Sequence, residues 1–595
     1  MASTVLASLV VLGVAQVGAG QDDGRVEIGA PDSTTTLGTG ADPTTTTVPP
    51  EPFIYRIGVL AGVSTDNFWA FYGEQPSVWN SYVLGPTKPA LFTSSTNLGT
   101  LHPELAADHG EPVEGETGWV VEVDLDAGFK WSDGTPITSG DIVFTFETVR
   151  LLELGGSWAE AFPETVEAME ADGAHGLRIH FTEQPRLAVW PHAVGTAPIM
   201  AAHVWETVIG GISAQDLYEL PGDGDVAGGP LVISSIGEDH IVSIRNDGYP
   251  NADTPDVVRY QVFVDETSAL TALADDEIDY LLSPKGLTEG QVEELEGVPG
   301  VELLRSPGNN IRYLGFNLTR APMSDPAFRT ALALLVDRGQ LAEAITHAGS
   351  AAHAMIPAAN SQWFDTESAS VNDQRYHGEL EARLARAVEV LEGAGYTWER
   401  VPTVGDNGEA VPGAGLTAER APIAPLTILT PGDAYDPARA EYARAIIDTL
   451  AVLGFETRAV ETDFDTVVDL AFTPDDEGAL HYDMYLLGWT LGNPALPSYY
   501  GTLFSTAGPM NNTGYASEEF DTAHTAYLQA PDVETARGAL WEMESVLSVD
   551  LPYLPLYSSD IVEVYRADRV TFDVGTGLGG LQARLGAIRD VKPAN

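Results

Sequence analysis

The 595-residue chain contains no cysteine. That single absence excludes disulfides, thiolate metal sites, cysteine nucleophiles and a cysteine-linked lipid anchor. Lysine is almost as scarce: Lys88, Lys130, Lys285 and Lys592 are the whole set, and arginine supplies the other positive charges. Against 29 basic residues stand 87 acidic ones, a formal net charge of -58. A surface of that sign repels nucleic acid and anionic membranes, so neither is expected as a partner. High salt in the habitat and GC-rich coding both account for an acid-rich, lysine-poor composition. Reactive motifs are missing too. There is no HExxH, no GxSxG and no phosphate-binding Walker loop. Gly575-x-Gly577-x-x-Gly580 has dinucleotide-loop spacing, but about fifteen residues follow it, too few for a βαβ unit. The acidic run Asp475-Asp476-Glu477 is expected to be solvated surface. No catalytic group, metal or cofactor is expected.

What is present is a large, ordinary apolar fraction. Hydrophobic residues make up 44% of the chain, so a folded protein of two or three globular units is expected rather than disorder. Val5–Val17 is apolar and rich in small residues, followed by Gly18-Ala19-Gly20. It is too short to span a bilayer comfortably and resembles the core of a signal peptide, although no Lys or Arg precedes it. Residues 1–20 are read as this leader-like segment. Residues 21–52 are read as a tether, because Asp32–Pro52 (DSTTTLGTGADPTTTTVPPEP) offers threonine runs and prolines but no core. At about 3 Å per residue the tether reaches some 60 Å. Leader and tether together suit an extracytoplasmic, envelope-associated protein.

The folded body begins with Phe53–Ala61, read as a strand, and Thr65–Tyr72 (TDNFWAFY) follows its carboxyl end. Asn67, Phe68 and Trp69 become ligand-contact candidates by that position alone. Further on, Asp133-Gly134 signals a turn, and Thr138 with Asp141 has capping-box spacing ahead of Ile142–Phe146. Ser324 is expected to cap a helix carrying Pro326 in its first turn. Glu379–Gly393 and Ala438–Leu453 read as amphipathic helices, each followed by a glycine stop and an aromatic. Helices alternating with short strands indicate α/β layers. The stretch Asp483–Tyr500 (DMYLLGWTLGNPALPSYY) is read as a buried strand that stops at Gly488-Trp489 and opens into an irregular loop. An aromatic at such a junction faces either the core or a ligand.

Several segments together resemble one family. Lys130–Phe146 (KWSDGTPITSGDIVFTF) is similar to the signature W-x-D-G-x-P-[LIV]-T-[AS]-x-D-[VI]-V of the family 5 extracellular solute-binding proteins, which serve ABC importers of peptides and nickel. Gly228–Leu231 with Arg245–Tyr249, Ala272–Tyr280, Phe316–Ala344, Ala387–Tyr396, Gly488-Trp489, Asn512–Asp521 and Leu551–Tyr557 continue the pattern in order. The resemblance implies a periplasmic-binding-protein-like type II α/β fold: two hinged lobes around a cleft, with an additional domain. Lobe I is expected to take residues 53–90, 190–300 and 556–595, the additional domain 91–189, and lobe III 301–555. Hinge crossings are expected near Ile311–Asn317 and Leu554–Tyr557. By the same resemblance Trp489, Thr490, Gly492 and Asn493 line the cleft, and Phe464 falls where another cleft aromatic is often found. Trp131, Asp133 and Gly134 are read as structural.

One position departs from the family's peptide binders. The carboxylate that pairs with a peptide's amino terminus belongs three residues after the tryptophan, where this chain has Gly492. Leaving an ammonium unpaired there costs about 2–5 kcal/mol. Asp66, Asp483 or another acid then substitutes, or the ligand has no free amino group. The expected function is a monomeric, non-enzymatic binding protein that captures a peptide or other small polar ligand by hinge closure and passes it to an ABC permease. A secreted hydrolase built on a carboxylate pair, or a surface protein that kept the fold without transport, is the alternative.

Overall fold

The computed structural model describes residues 51–594, apart from 75–76, 95–99, 223, 251–253, 346–348, 377, 434, 476–477 and 573–576. The leader-like segment, nearly all of the tether, all but Asp475 of the Asp475–Glu477 run and the start of the Gly575 motif lie outside the described residues.

Twelve strands make the main sheet: β1 (Ile54–Val59), β2 (Leu231–Ile236), β3 (His240–Arg245), β4 (Val257–Val262), β5 (Tyr280–Leu281), β6 (Val301–Pro307), β7 (Asn310–Phe316), β8 (Gly349–Ala351), β9 (Leu426–Pro431), β10 (Thr457–Thr462), β11 (Met484–Thr490) and β12 (Tyr553–Arg566). Their order is β10-β9-β11-β7-β12-β5-β1-β4-β3-β2, with β6 and β8 also paired to β12. Fourteen-residue β12 is the join. Its first half pairs with β7, Arg312 opposite Tyr557 and Gly315 opposite Tyr553. Its second half pairs with β6, from Pro307 opposite Asp560 to Val301 opposite Arg566.

Both halves of this sheet are covered on both faces, and the strands read accordingly as apolar runs. In β11, Met484 and Leu486 enter one core with Leu314, Phe316, Leu332 and Ile446. Tyr485 and Leu487 enter the opposite core with Ile311, Tyr313, Tyr500 and Met543. That split is the two-residue period of a strand. The other half-sheet places Tyr55, Ile57 and Tyr260 in one core and Leu273, Ile278, Val562 and Val564 in another.

A separate antiparallel sheet has the order Val113–Gly115, Gly118–Asp124, Gly176–Phe181, Val166–Asp172. The helix Ser139–Leu151 packs on it and begins with the expected capping box: the Thr138 N–H donates to Asp141 Oδ2 at 2.8 Å. Its core contains Trp131, Ile142 and Ile179, and it also takes in Phe68–Phe71 and Trp190–Tyr218. Packing therefore extends beyond residues 91–189 at both ends.

Three local expectations change. Asp325, not Ser324, caps the helix Pro326–Leu335, accepting from the Ala327 N–H at 2.9 Å. The strand at Met484 does not stop at Gly488-Trp489 but runs to Thr490, because β7 pairs with it throughout. Ile311–Phe316 lies inside β7, so the chain crosses between half-sheets earlier, at Gly308-Asn309. Beside that crossing the Asn310 amide donates to the Ser559 carbonyl at 2.9 Å and accepts from the Ser559 N–H at 3.1 Å and hydroxyl at 3.0 Å. Asn310→Ala removes all three bonds and leaves half-buried groups of Ser559 unpaired. We expect a loss of about 1–3 kcal/mol in urea unfolding, with faster amide exchange at Ser559; an unchanged midpoint would show that the clamp is idle.

Candidate functional site

Strands β9, β10 and β11 are parallel, so their carboxyl ends, Pro431, Thr462 and Thr490, lie along one edge. Strand β7 runs the other way, and its first residues therefore reach the same edge: Asn310 is opposite Thr490 and Arg312 opposite Gly488. Tyr557 of β12 is opposite Arg312. An edge made of strand carboxyl ends beside a change of strand order is where α/β sheets hold ligands.

Each strand delivers an aromatic to this edge. After β9 comes Tyr435, 48% exposed. After β10 comes Phe464, the first residue of the helix Phe464–Phe472, whose cap Asp463 accepts from the Thr466 N–H at 2.9 Å. The two rings stack with centroids 4.6 Å apart and planes 15° from parallel. At the end of β11, Trp489 is partly buried and meets Phe472 edge to face at 5.8 Å. Thr490, Gly492 and Asn493 are exposed. Gly492 has a φ of +62°, and a Cβ there would meet open space; its carbonyl accepts from the Asn309 amide at 2.9 Å. Asn493 turns inward on its own loop, accepting from the Ala495 N–H at 2.9 Å.

The amino-terminal candidates are placed differently. Asn67, Phe68 and Trp69 are all buried, as N-cap and first turn of the helix Phe68–Gly73. The Asn67 amide donates to the carbonyls of Leu217 at 2.7 Å and Leu220 at 2.9 Å. Trp69 is closed in by Trp158 at 4.8 Å and Trp205 at 6.2 Å. These three side chains are committed to the core, which corrects the reading of them as ligand contacts. Nor does Asp483 replace the acid missing at Gly492. It sits at the opposite end of β11, accepts from the N–H and hydroxyl of Thr427 at 2.9 Å, and faces Arg320 at 3.6 Å. Asp66 accepts from the Gly222 N–H at 3.0 Å.

The sequence reading missed two arginines. Arg312 lies across Gly488, so that a Cβ at Gly488 would strike the arginine's Cδ. The glycine read as a strand break is the seat for that side chain. Among the described residues Arg312 has no carboxylate in ion-pair range; its Nη1 donates to Asn310 Oδ1 at 3.4 Å. Burial first, and then the nearby positive charge of Arg439, lower its affinity for the proton. Arg439 is 5% exposed, in the first turn of the helix Pro437–Ala451. Its Nη2 pairs with Asp436 at 3.0 Å, while Nε and Nη1 are buried without a hydrogen-bond partner. Its guanidinium stands 5.8 Å from the Tyr435 ring. Tyr557, whose hydroxyl is pushed up to about 12 by burial, feels both arginines and stacks on Tyr442 at 4.5 Å. A lone arginine in the apolar run NIRYLGF was the available signal for this pair.

The edge thus offers flat apolar faces, strand-end backbone groups and two positive charges. Among the described residues no group of three His, Cys, Asp or Glu side chains is disposed to hold a metal.

Comparison with known proteins gives a consistent picture. Residues 100–511 match the model of the middle region of bacterial extracellular solute-binding proteins, family 5. The peptide transport periplasmic protein SapA of Salmonella typhimurium is 24% identical over 492 residues, covering 79% of this chain and 80% of its own. Among solved structures, the ABC transporter substrate-binding protein CtaP of Listeria monocytogenes superposes with a TM-score of 0.68 at 16% identity, covering 91% of this chain and 99% of its own. The periplasmic EDTA-binding protein EppA reaches 0.67 at 19% identity, covering 91% and 96%.

Proposed function

The chain belongs to family 5 of the bacterial extracellular solute-binding proteins, and from that premise we propose that it captures a small peptide-like or other polar ligand at the edge formed by Tyr435, Phe464 and Trp489. The fold is the type II periplasmic-binding-protein architecture. The protein is the extracytoplasmic solute-binding component of an ABC importer and not an enzyme. Its partners are its solute and a membrane permease. We read it as a monomer held to the envelope through residues 21–52.

The observation that carries the ligand reading is the convergence of three strand ends and their aromatics beside the two crossings, Gly308-Asn309 and Tyr557–Asp560. Rotation of one half-sheet about those crossings brings the other half over this edge. Lobe I, the additional domain and lobe III remain our proposed division of the body, with the crossings moved from Ile311–Asn317 to Gly308-Asn309 and from Leu554–Tyr557 to Tyr557–Asp560. SapA is named for peptide transport and EppA for EDTA binding, so peptides and carboxylate-rich small molecules both enter the test set.

A hinge-closing binder becomes more compact and melts higher when its ligand is present. X-ray scattering and thermal unfolding, with and without a mixture of short peptides and with EDTA, read both effects. Trp489→Ala is expected to weaken binding about 30-fold or more while the ligand-free melting temperature changes little. Equal affinity in the variant would remove Trp489 from the site. No compaction of the wild type with any of the solutes would favour a surface protein that does not transport.

A further inference from the structure

We propose that Glu544 is a positioning residue for the ligand loop, residues 492–500: its neutral carboxyl clamps the segment 355–363 that backs the loop, so solute capture weakens as the surroundings turn alkaline. The inference rests on the solute-binding reading and adds a control that acts on that site from outside it.

Between the end of β11 at Thr490 and the helix Tyr499–Phe504, the loop is held from behind by one buried segment. The Asn360 amide donates to the Pro494 carbonyl at 2.9 Å, and the Trp363 indole N–H donates to the Ala495 carbonyl at 3.2 Å. In return the Tyr499 hydroxyl donates to the Met355 carbonyl at 3.2 Å. The segment has its own support in the helix Val533–Asp550. There the Trp541 indole N–H donates to the Trp363 carbonyl at 2.9 Å. Three residues on, Glu544 accepts from the Met355 N–H at 2.9 Å, the Ile356 N–H at 3.1 Å and the Tyr500 hydroxyl. Met355, Ile356, Asn360, Trp363 and Tyr500 are all buried, so a bond lost among them is not replaced by water unless the segment moves. Helix, segment and loop form one chain of contacts that ends at Gly492 and Asn493.

The state of the carboxyl decides whether the clamp holds. All three donors converge on one oxygen, Oε1, an arrangement that suits a neutral acid with its proton on Oε2. Tyr499 and Tyr500 stack at 4.7 Å, and burial pushes both hydroxyls up, so they stay neutral. Asp365 adds negative charge and opposes ionisation. Arg338, His353 and Tyr376 meet Glu544 around a cavity of about 20 Å³, room for one water molecule. Arg338 brings positive charge there, but its Nη1 donates to the Ala352 carbonyl at 3.0 Å and its guanidinium lies 5.5 Å from the Tyr376 ring. An ionised Glu544 recovers full solvation only when residues 355–356 part from it. The clamped form holds the proton more tightly than the opened one, burial having raised the carboxyl from 4.5 to about 7. Clamping is therefore complete below pH 4.5 and is lost as pH rises through about 7.

Amide hydrogen exchange on the full chain tests the clamp without a ligand. After correction for intrinsic rates, protection of residues 355–363 and 492–500 should fall about 10-fold between pH 6 and pH 8 in wild type and stay level in Glu544→Gln. Level protection in wild type overturns the inference. So does a fall that persists in Glu544→Gln, which still carries His353. Tyr500→Phe removes one donor to Oε1 that favours the carboxylate, so the midpoint of the fall should move to higher pH; an unmoved midpoint assigns the fall to another group. Calorimetry with N-acetyl-Ala-Ala-Ala, whose own charge is constant over this range, reads the effect on binding. Wild type should bind it about 3- to 10-fold more weakly at pH 8 than at pH 6, and Glu544→Gln equally at both. Equal affinities in wild type overturn the inference and leave the solute-binding reading standing. If this peptide binds at neither pH, hydrogen exchange alone decides the inference, and the solute-binding reading is judged by compaction with the peptide mixture and EDTA.

Discussion

Between pH 5 and pH 8 the wild-type protein is expected to lose about 3 kcal/mol of stability relative to a Glu544→Gln variant. Glu544 lies in the helix Val533–Asp550 and is 5% exposed. It accepts hydrogen bonds from the Tyr500 hydroxyl, the Met355 N–H at 2.9 Å and the Ile356 N–H at 3.1 Å. Burial pushes its carboxyl up from 4.5 to about 7, with the three donors pulling the other way and losing. The folded protein therefore holds this proton more tightly than the unfolded chain does. Its contribution is fully present below the unfolded pKa of 4.5 and is lost as pH rises through about 7. Glutamine keeps an accepting oxygen and cannot ionise, so its profile lacks this component. Urea midpoints for both proteins across that range check the difference. Parallel curves would mean that the three donors stabilise the carboxylate enough to cancel its burial.

The second large effect belongs to Trp69. Trp69→Ala removes a fully buried indole from between Trp158 and Trp205, while its backbone carbonyl accepts from the Trp158 indole N–H at 3.0 Å. Cavities of this kind cost about 3–5 kcal/mol. Because the ring has no exposed face, affinity for solute measured on the folded variant should match wild type. This is the reverse of what Trp489→Ala is expected to do. A Trp69→Ala protein of normal stability that no longer bound solute would return Thr65–Tyr72 to the ligand site.

The two tryptophans show why the sequence did not separate a partly exposed aromatic from a buried one. Both stand beside a strand's carboxyl end, and position alone does not separate them. Trp489 lies next to the end of a strand whose neighbours stop at the same edge, and it is only partly buried. Trp69 lies in the first turn of a short helix whose cap, Asn67, is tied to the Leu217 and Leu220 carbonyls, and that contact joins segments about 150 positions apart. Periodicity describes near neighbours and says nothing of such coverage. The alternation in β11, the glycine stops and the Thr138 capping box were readable because each is a local property. Gly488 was misread for the opposite reason. Its missing side chain makes room for Arg312, which reaches it from another strand.

The position of β12 also bears on how the chain is made. Tyr553–Arg566 fits between strands completed far earlier, with Pro307 opposite Asp560 and Arg312 opposite Tyr557. Loops of that length close slowly, and their entropy must be met before the pairing rewards it. Until those residues emerge from the ribosome, β6 has no partner and the core around Val562 and Val564 has no floor. Neither half can finish folding on the strength of its own early segments. A body closed by its last long strand therefore completes its core only when that strand is in place.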